Sequence, residues 1–277
     1  MLTNMVTLLE VAEKRRCAIP AFNVYNQETV LGVLQAAEEE NSCVILQMYS
    51  RLFDSIEAEF LSPSIVAAAH RAKVKVAFHL DHGAGNAPVI KAIRYGCTSV
   101  MRDASAHPYE QNVAITKWAV DLAHAVGVSV EGELGHIGLA KDGPSKDYTS
   151  VEMAKQFADE TGVDALAIQV GTAHGHYEQA PTLAIDRIRE IHAHTKAHLV
   201  LHGGSGIPDD QIVDSINAGI RKINFGTDVC CTFLDGVRAT DASIFAVDLF
   251  MKRPTQLVKE FSSSKIRLLK AQNSNED

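Results

Sequence analysis

The stretch VKVAFHLDHG, residues Val74–Gly83, is an apolar run that ends in an aspartate, a histidine and a glycine. Its short length and its Val, Ala, Phe and Leu content predict a buried β-strand, and Gly83 frees the backbone to turn where the run stops. Two later runs end alike, at Ala173-His174-Gly175 and Leu201-His202-Gly203, and these three are the only His-Gly pairs in the chain. Histidines released at the ends of buried strands can project into one pocket, where three imidazoles make a zinc site with a position left open for substrate.

Working outward, apolar runs rich in Val, Ile and Ala begin near Cys17, Cys43, Val74, Cys97, Val128, Ala165, His198 and Ile220, about 20 to 40 residues apart. Segments of helical periodicity lie between them: Glu28 to Glu40, Ser64 to Ala72, Tyr109 to Val126, Val151 to Thr161 and Asp209 to Ala218. Continuously apolar strands alternating with helices indicate a parallel sheet covered on its outer face, and eight such units predict a (β/α)8 TIM barrel. An amphipathic helix around Thr7 to Arg16 precedes the barrel. Beyond Asp228 the pattern is helical to about Gln272, giving a C-terminal helical extension from about residue 240, with a break expected at Arg253-Pro254. A doubly wound open sheet is the runner-up, but Ala21-Phe22-Asn23-Val24 after the first run lacks the glycine fingerprint of that fold. No linker divides the chain, so residues 1–277 are read as a single domain.

Hydrophobic residues make up 46% and charged residues 22% of the 277, an ordinary balance for a globular enzyme, and a net charge of -8 argues against nucleic acid or an anionic membrane as partner. The five cysteines are odd in number and form no Cys-x-x-Cys pair, which points to buried thiols in a reducing cytoplasm. No run of transmembrane length occurs, and no signal-peptide pattern is present.

In such a barrel the chemistry lies at the C-terminal ends of the strands. The polar residues concentrate there: Asp81 and His82, then Asp103, Glu131 and Glu133, His174, His202, and Asn224 with Thr227 and Asp228. Desolvated carboxylates at Asp81, Asp103 and Glu133 are costly unless they face a common cation. His82, His174 and His202 suit zinc, with Asp103 and Glu133 either orienting those rings or forming an alternative metal position. Gly203-Gly204-Ser205-Gly206 and Asn224-Phe225-Gly226-Thr227 follow the last two strands, where backbone N–H groups and the Ser205 and Thr227 hydroxyls suit phosphate. His70, His124, His192 and His194 read as surface residues, and His198 opens a strand at the opposite end. His79, His107, His136 and His176 stay open.

These residues resemble the class II metal-dependent ketose-bisphosphate aldolases, in the branch of fructose- and tagatose-bisphosphate aldolases. The likeness spans nearly the whole chain and is carried by Pro20-Ala21-Phe22-Asn23, Leu80-Asp81-His82-Gly83, Asp103-Ala104-Ser105, Glu131 with Glu133-Leu134-Gly135, Gly171-Thr172-Ala173-His174-Gly175, Leu201-His202-Gly203-Gly204-Ser205-Gly206 and Lys222-Ile223-Asn224. The resemblance implies zinc on His82, His174 and His202, and Asp81 as the acid/base that takes the C4 hydroxyl proton. It implies Asn224 as a donor to the enediolate. Phosphate would lie on Gly175, Gly203, Ser205 and Thr227 with a monovalent cation (Na+ or K+) beside it, and Asn23, Ser50 and Arg253 would be further substrate contacts, Arg253 across a subunit boundary. Arg51 is a further candidate for a distal phosphate or carboxylate. Lys222 shares parity with Asn224, so pattern alone leaves a Schiff base open; the full metal set argues against it. The implied reaction is reversible cleavage of a phosphorylated ketose, a fructose or tagatose 1,6-bisphosphate, to dihydroxyacetone phosphate and glyceraldehyde 3-phosphate, by a homodimer or homotetramer.

The chain departs from the family pattern after Gly135, where Ala140 and Lys141 stand at positions that relatives fill with glutamates, leaving Asp142 as a substitute. Arg102 also replaces an apolar residue. The alternatives are the same chemistry on 6-phospho-5-dehydro-2-deoxygluconate or a ketose 1-phosphate, a barrel zinc hydrolase, or a non-catalytic paralogue that serves a partner aldolase as accessory subunit.

Overall fold

The computed structural model describes residues 1–140, 148–175, 177 and 179–276. Helix α1 (Met5–Arg15) leads into β1 (Ile19–Asn23), α2 (Gln27–Glu39), β2 (Val44–Tyr49), α3 (Glu57–Arg71), β3 (Val76–Gly83), α4 (Asn86–Arg94), β4 (Ser99–Arg102), α5 (Tyr109–His124) and β5 (Ser129–Leu134). The chain continues through α6 (Val151–Thr161), β6 (Ala165–Ile168), α7 (Ile185–His194), β7 (His198–Leu201), α8 (Asp209–Ala218), β8 (Ile220–Phe225), α9 (Thr227–Arg238), α10 (Val247–Phe250) and α11 (Lys252–Leu268). Every strand pairs in parallel with its sequence neighbours, and β8 returns to β1 with Asn224 opposite Ala21, so the eight close into a (β/α)8 barrel.

Strand parity divides the side chains between two environments. On β3, Phe78 and Leu80 point outward into the apolar layer beneath the helices, with Val100, Val130, Leu166, Leu199 and Phe225 of other strands. Ala77, His79 and Asp81 point into the barrel. The lower interior is lined by Ile19, Ala21, Ile45, Ala77, Ala165, Ala167 and Val200, and α1 seals it with Met5, Leu8, Leu9 and Ala12, all without solvent exposure. Asn4 caps α1 by accepting the Val6 N–H at 3.1 Å, and Arg16 ends it in a left-handed turn. One level up, the interior turns polar.

Two boundaries differ from expectation. Helix α3 starts at Glu57, upstream of Ser64, and contains Pro63, whose exposed ring lies on the solvent side and leaves the buried stripe Ala58, Leu61, Ile65 and Ala69 intact. The expected break at Arg253-Pro254 lies just upstream, at Met251 between α10 and α11, and Pro254 sits in the first turn of α11, where no intrahelical N–H bond is needed; a longer interruption separates α9 from α10. Helix α11 packs closely on α2: a Cβ at Gly32 would lie 2.8 Å from the Thr255 carbonyl oxygen. None of the described helices is long and apolar enough to cross a membrane.

Candidate active site

At its last turn β3 leaves the regular sheet. Its register against β4 shifts between Leu80 and Gly83, and His82 takes a left-handed φ of 50° that swings its ring inward beside Asp81. Gly83 is required next, since a Cβ there would collide with the Met101 carbonyl. The ring of His82 is oriented by Asp103: Nδ1 lies 2.8 Å from Asp103 Oδ2, while Asp103 Oδ1 accepts from the Ser105 amide at 3.0 Å and hydroxyl at 2.8 Å. Burial opposes ionisation of Asp103, but His82 and Ser105 outweigh it and hold the carboxyl well below the usual range.

His174 is set by the loop after β5. Its Nδ1–H donates to the Ile137 carbonyl at 3.1 Å, and its backbone pairs with the loop through His174 N to Gly138 O and Ala140 N to His174 O, each 2.8 Å. Burial and the charges of His82 and His202 push its pKa down to about 4. His202, fully buried, has Nε2 2.7 Å from Glu131 Oε1 and Nδ1 3.2 Å from Glu133 Oε2. Burial disfavours its charge, yet these two carboxylates raise its pKa to about 10.

The three imidazoles therefore turn toward one point, with ring centroids 4.7 to 5.7 Å apart and one ligand atom from each within 4.8 Å of the others. A second set, His82, Asp103 and Glu133, meets the same criterion. His82 Nε2 is buried without a hydrogen-bond partner, the condition of a group that awaits a cation. Asp81, Asp103, Glu131 and Glu133 surround this point; Lys222 Nζ meets Glu131 from below, and the Arg102 guanidinium donates to the Asp103 carbonyl from outside. Three imidazole ligands amid excess carboxylate charge fit a divalent metal, zinc above the hard cations.

Asp81, 4% exposed, stands at the side of this cluster. Its Oδ2 accepts from Asn23 Nδ2 at 2.8 Å and its Oδ1 from Asn224 Nδ2 at 3.4 Å. Behind each amide is a buried donor: Gln47 Nε2 donates to Asn23 Oδ1 at 2.8 Å, and Lys222 Nζ to Asn224 Oδ1 at 2.7 Å. Burial would raise the Asp81 pKa, but His82, His202 and Lys222, together with the Asn23 amide, hold it below the ordinary value, so the carboxylate is ready to accept a proton.

A cavity of about 750 Å³ opens above Asp81 and His82, walled by His174, Gly175, Gly203, Ser205, Asn224, Gly226 and Thr227 on one side and by Tyr25, Tyr49, Arg51 and the loop from His136 to Leu139 on the other. The glycine side forms an anion corner at the start of α9. Ser205 Oγ accepts the Asp228 N–H at 3.1 Å, and Gly175 leaves open the space that a Cβ would fill. Tyr177 ties the corner together, its hydroxyl lying 2.7 Å from Ala173 O and 3.1 Å from Gly203 O.

The sequence-selected residues separate here. Asp81, the three histidines, Asn23, Gly175, Gly203, Ser205, Asn224 and Thr227 gather in one place. Ser50 does not join them: it is buried and its hydroxyl accepts the Ala84 N–H at 3.0 Å, holding the turn after β3. Arg253 is exposed in the first turn of α11, away from the cavity wall of its own chain. Arg51 takes the wall instead, its guanidinium 5.0 Å from the Tyr49 ring centroid and 5.9 Å from that of Tyr25. Asp142 and His176 lie outside the described residues. Of the histidines left open, His107 is exposed and His136 stands on the wall, 3.1 Å from Ser105 Oγ. Gln47 and Tyr177 escaped the sequence reading; only strand parity with the inward positions of β2 could have singled out Gln47.

His79 is buried beneath the site with Nδ1 2.7 Å from Ser99 Oγ, and burial, aided by Lys222, lowers its pKa from 6.5 to about 3. Below pH 6.5 the unfolded chain protonates this imidazole while the folded chain does not, so its contribution to stability is whole above 6.5 and is lost as pH falls toward 3. Denaturant titrations of His79→Gln at pH between about 4 and 6.5 are expected to show a slope of stability against pH shallower than wild type by up to about 1.4 kcal/mol per unit, one proton's worth.

A model of the class II fructose-bisphosphate aldolases matches residues 3–274. The chain belongs to that family. This aldolase is 40% identical over 237 residues to the sulfofructosephosphate aldolase of Alkalicoccus urumqiensis, a match covering 84% of this chain and 83% of the other. It is 39% identical over 248 residues to the probable fructose-bisphosphate aldolase of Bacillus subtilis (strain 168), with 87% of each covered. The crystal structure of the YdjI aldolase from Escherichia coli K12 superimposes with a TM-score of 0.91 at 34% identity, covering 99% of this aldolase and 100% of that chain. The enzyme is thus an aldehyde-lyase, and the hydrolase alternative falls away.

Proposed function

We propose that this aldolase uses zinc and reversibly cleaves a ketose bisphosphate, of the fructose or tagatose 1,6-bisphosphate type, to dihydroxyacetone phosphate and glyceraldehyde 3-phosphate. The observation that carries the reading is the cluster of His82, His174 and His202 beside an ionised Asp81, in the cavity that also holds the glycine-rich anion corner. Zinc held by the three imidazoles would supply Lewis acidity to the substrate carbonyl and stabilise the charge that develops as the C3–C4 bond breaks. Asp81 takes the proton of the C4 hydroxyl. Asn224 offers its amide N–H to the oxygen on which charge collects. Gly175, Gly203, Ser205 and Thr227 seat the 1-phosphate, and Asn23 holds the Asp81 carboxylate in line.

Arg51 favours a second reading of the distal group. It is the one lysine or arginine on the described cavity wall, and a guanidinium stacked on two tyrosines accepts phosphate, carboxylate or sulfonate alike. The same chemistry on a dihydroxyacetone-phosphate adduct that ends in another anion, such as 6-phospho-5-dehydro-2-deoxygluconate, is therefore retained as the alternative. The exposed Phe245, Val247 and Leu249 between α9 and α11 support assembly as a homodimer or homotetramer, and the five cysteines, none in a disulfide, a cytoplasmic setting.

The test is a panel of ketose bisphosphates and ketose 1-phosphates bearing carboxylate or sulfonate ends, assayed by release of dihydroxyacetone phosphate before and after chelation. The expected outcome is about one zinc per chain, turnover of a bisphosphate, and loss of turnover on chelation that zinc restores. Undiminished activity after metal removal would falsify the zinc mechanism, and exclusive turnover of a carboxylate or sulfonate substrate would replace the first reading by the second.

A further inference from the structure

Lys222 is fully buried inside the barrel, a costly place for an ammonium, and its contacts account for it. Its stem rises along β8, and Nζ reaches Asn224 Oδ1 at 2.7 Å and, across the interior, Glu131 Oε2 of β5 at 2.8 Å. Glu131 uses its other oxygen on His202 Nε2 at 2.7 Å. One ammonium thus touches both the group that orients a metal-binding histidine and the amide that faces Asp81.

Direction matters more than proximity. An amide can turn over and exchange its oxygen for its nitrogen, but an ammonium has donors only and cannot accept from an NH2 group. With Oδ1 of Asn224 fixed on Lys222, its Nδ2 has to face Asp81 and the cavity. The opposing contact, Asn224 Nδ2 to Asp81 Oδ1, is long at 3.4 Å and too weak to set the orientation alone. Asn23 differs: its Nδ2 donates to Asp81 at 2.8 Å, so the carboxylate itself fixes that amide, with Gln47 following.

We infer that Lys222 is a positioning residue of the lyase reaction, acting through Asn224 by holding its N–H donors toward the reacting oxygen atoms. The inference rests on the role proposed above for Asn224, and it assigns the lysine a purpose other than covalent chemistry. Lys222 makes no bond to substrate. The same ammonium keeps Glu131 ionised against His202, so metal binding survives its loss as long as Glu131 keeps that histidine oriented.

Three readouts test it. Loss of one well-aimed donor lowers the rate roughly 10²- to 10³-fold, so Asn224→Ala and Lys222→Met are each expected to lower kcat by about that factor, with KM changed less than about threefold and metal content unchanged. The double variant Lys222→Met/Asn224→Ala is expected to be no more than about threefold worse than Asn224→Ala, because both changes remove the same donor. Should Lys222→Met fail to fold, Lys222→Met/Glu131→Gln removes the buried charge pair together and is compared with Glu131→Gln in the same way. A kcat for the lysine variant within about threefold of wild type, or losses that multiply in the double variant, overturns the inference. Exchange of the hydroxymethyl hydrogen of dihydroxyacetone phosphate with deuterium oxide gives the same comparison without the correct ketose. A wild type that exchanges but cleaves nothing in the panel points to the wrong ketose and leaves the comparison intact. A crystal structure of Lys222→Met decides the point independently of any activity: Asn224 held in its present orientation there sinks the inference.

Discussion

His174→Ala is expected to yield a folded protein that retains no stoichiometric zinc and loses lyase activity roughly 10⁴-fold, a factor that follows from Lewis-acid stabilisation worth several kcal/mol at about 1.4 kcal/mol per tenfold. The fold survives because, among the described residues, the ring of His174 gives one hydrogen bond, to the Ile137 carbonyl. His202→Ala should lose metal and rate equally but also stability, by about 3 to 5 kcal/mol, since removing a buried partner leaves Glu133 uncompensated. Metal analysis beside thermal unfolding separates the two. A His174→Ala protein that keeps both its zinc and its rate would remove this histidine from the ligand set.

The second large effect belongs to Asp81. Asp81→Ala should keep about one zinc per chain yet cleave substrate roughly 10³-fold more slowly, within the usual range for loss of a general base. Asp81→Asn is the more informative change. It preserves shape but replaces an acceptor-only group flanked by two amide donors, Asn23 Nδ2 at 2.8 Å and Asn224 Nδ2 at 3.4 Å, so its own NH2 must face one of them. Activity should therefore fall at least as far as in the alanine variant. Steady-state kinetics with metal analysis of both proteins checks this, and a loss confined to KM would make Asp81 a binding group only.

The repeating layout was legible because each strand is buried on both faces: apolar runs beginning near Cys43, Val74 or Ala165 lie at the observed strands Val44–Tyr49, Val76–Gly83 and Ala165–Ile168. The three histidines were legible because a glycine follows each, but only His82 and His202 stand at strand ends; His174, expected to close a strand, lies in the loop beyond β6, which stops at Ile168. What escaped depends on closure. Lys222 and Glu131 are 91 residues apart on strands that face each other across the interior, and no local pattern relates them (222 − 131 = 91). Gln47 sits in a run that reads as plain core. Ser50, a substrate contact by resemblance, lies in one turn of 3-10 helix after β2 that turns its hydroxyl to the Ala84 N–H, while Arg51 reaches the cavity wall. Pro254 lies inside α11 rather than at its boundary because a proline in the first turn gives up an N–H that has no intrahelical partner.

The amphipathic helix that precedes the barrel has a consequence for traffic. With Met5, Leu8, Leu9 and Ala12 stopping the lower end, the interior is a dead-end street. Among the described residues the interior opens through the cavity above Asp81 and His82, and His79, Lys222 and Glu131 lie fully buried beneath it. On the proposed function, a ketose seated in that cavity would be a stopper as well as a substrate, shielding Asp81 from bulk water while it holds the proton.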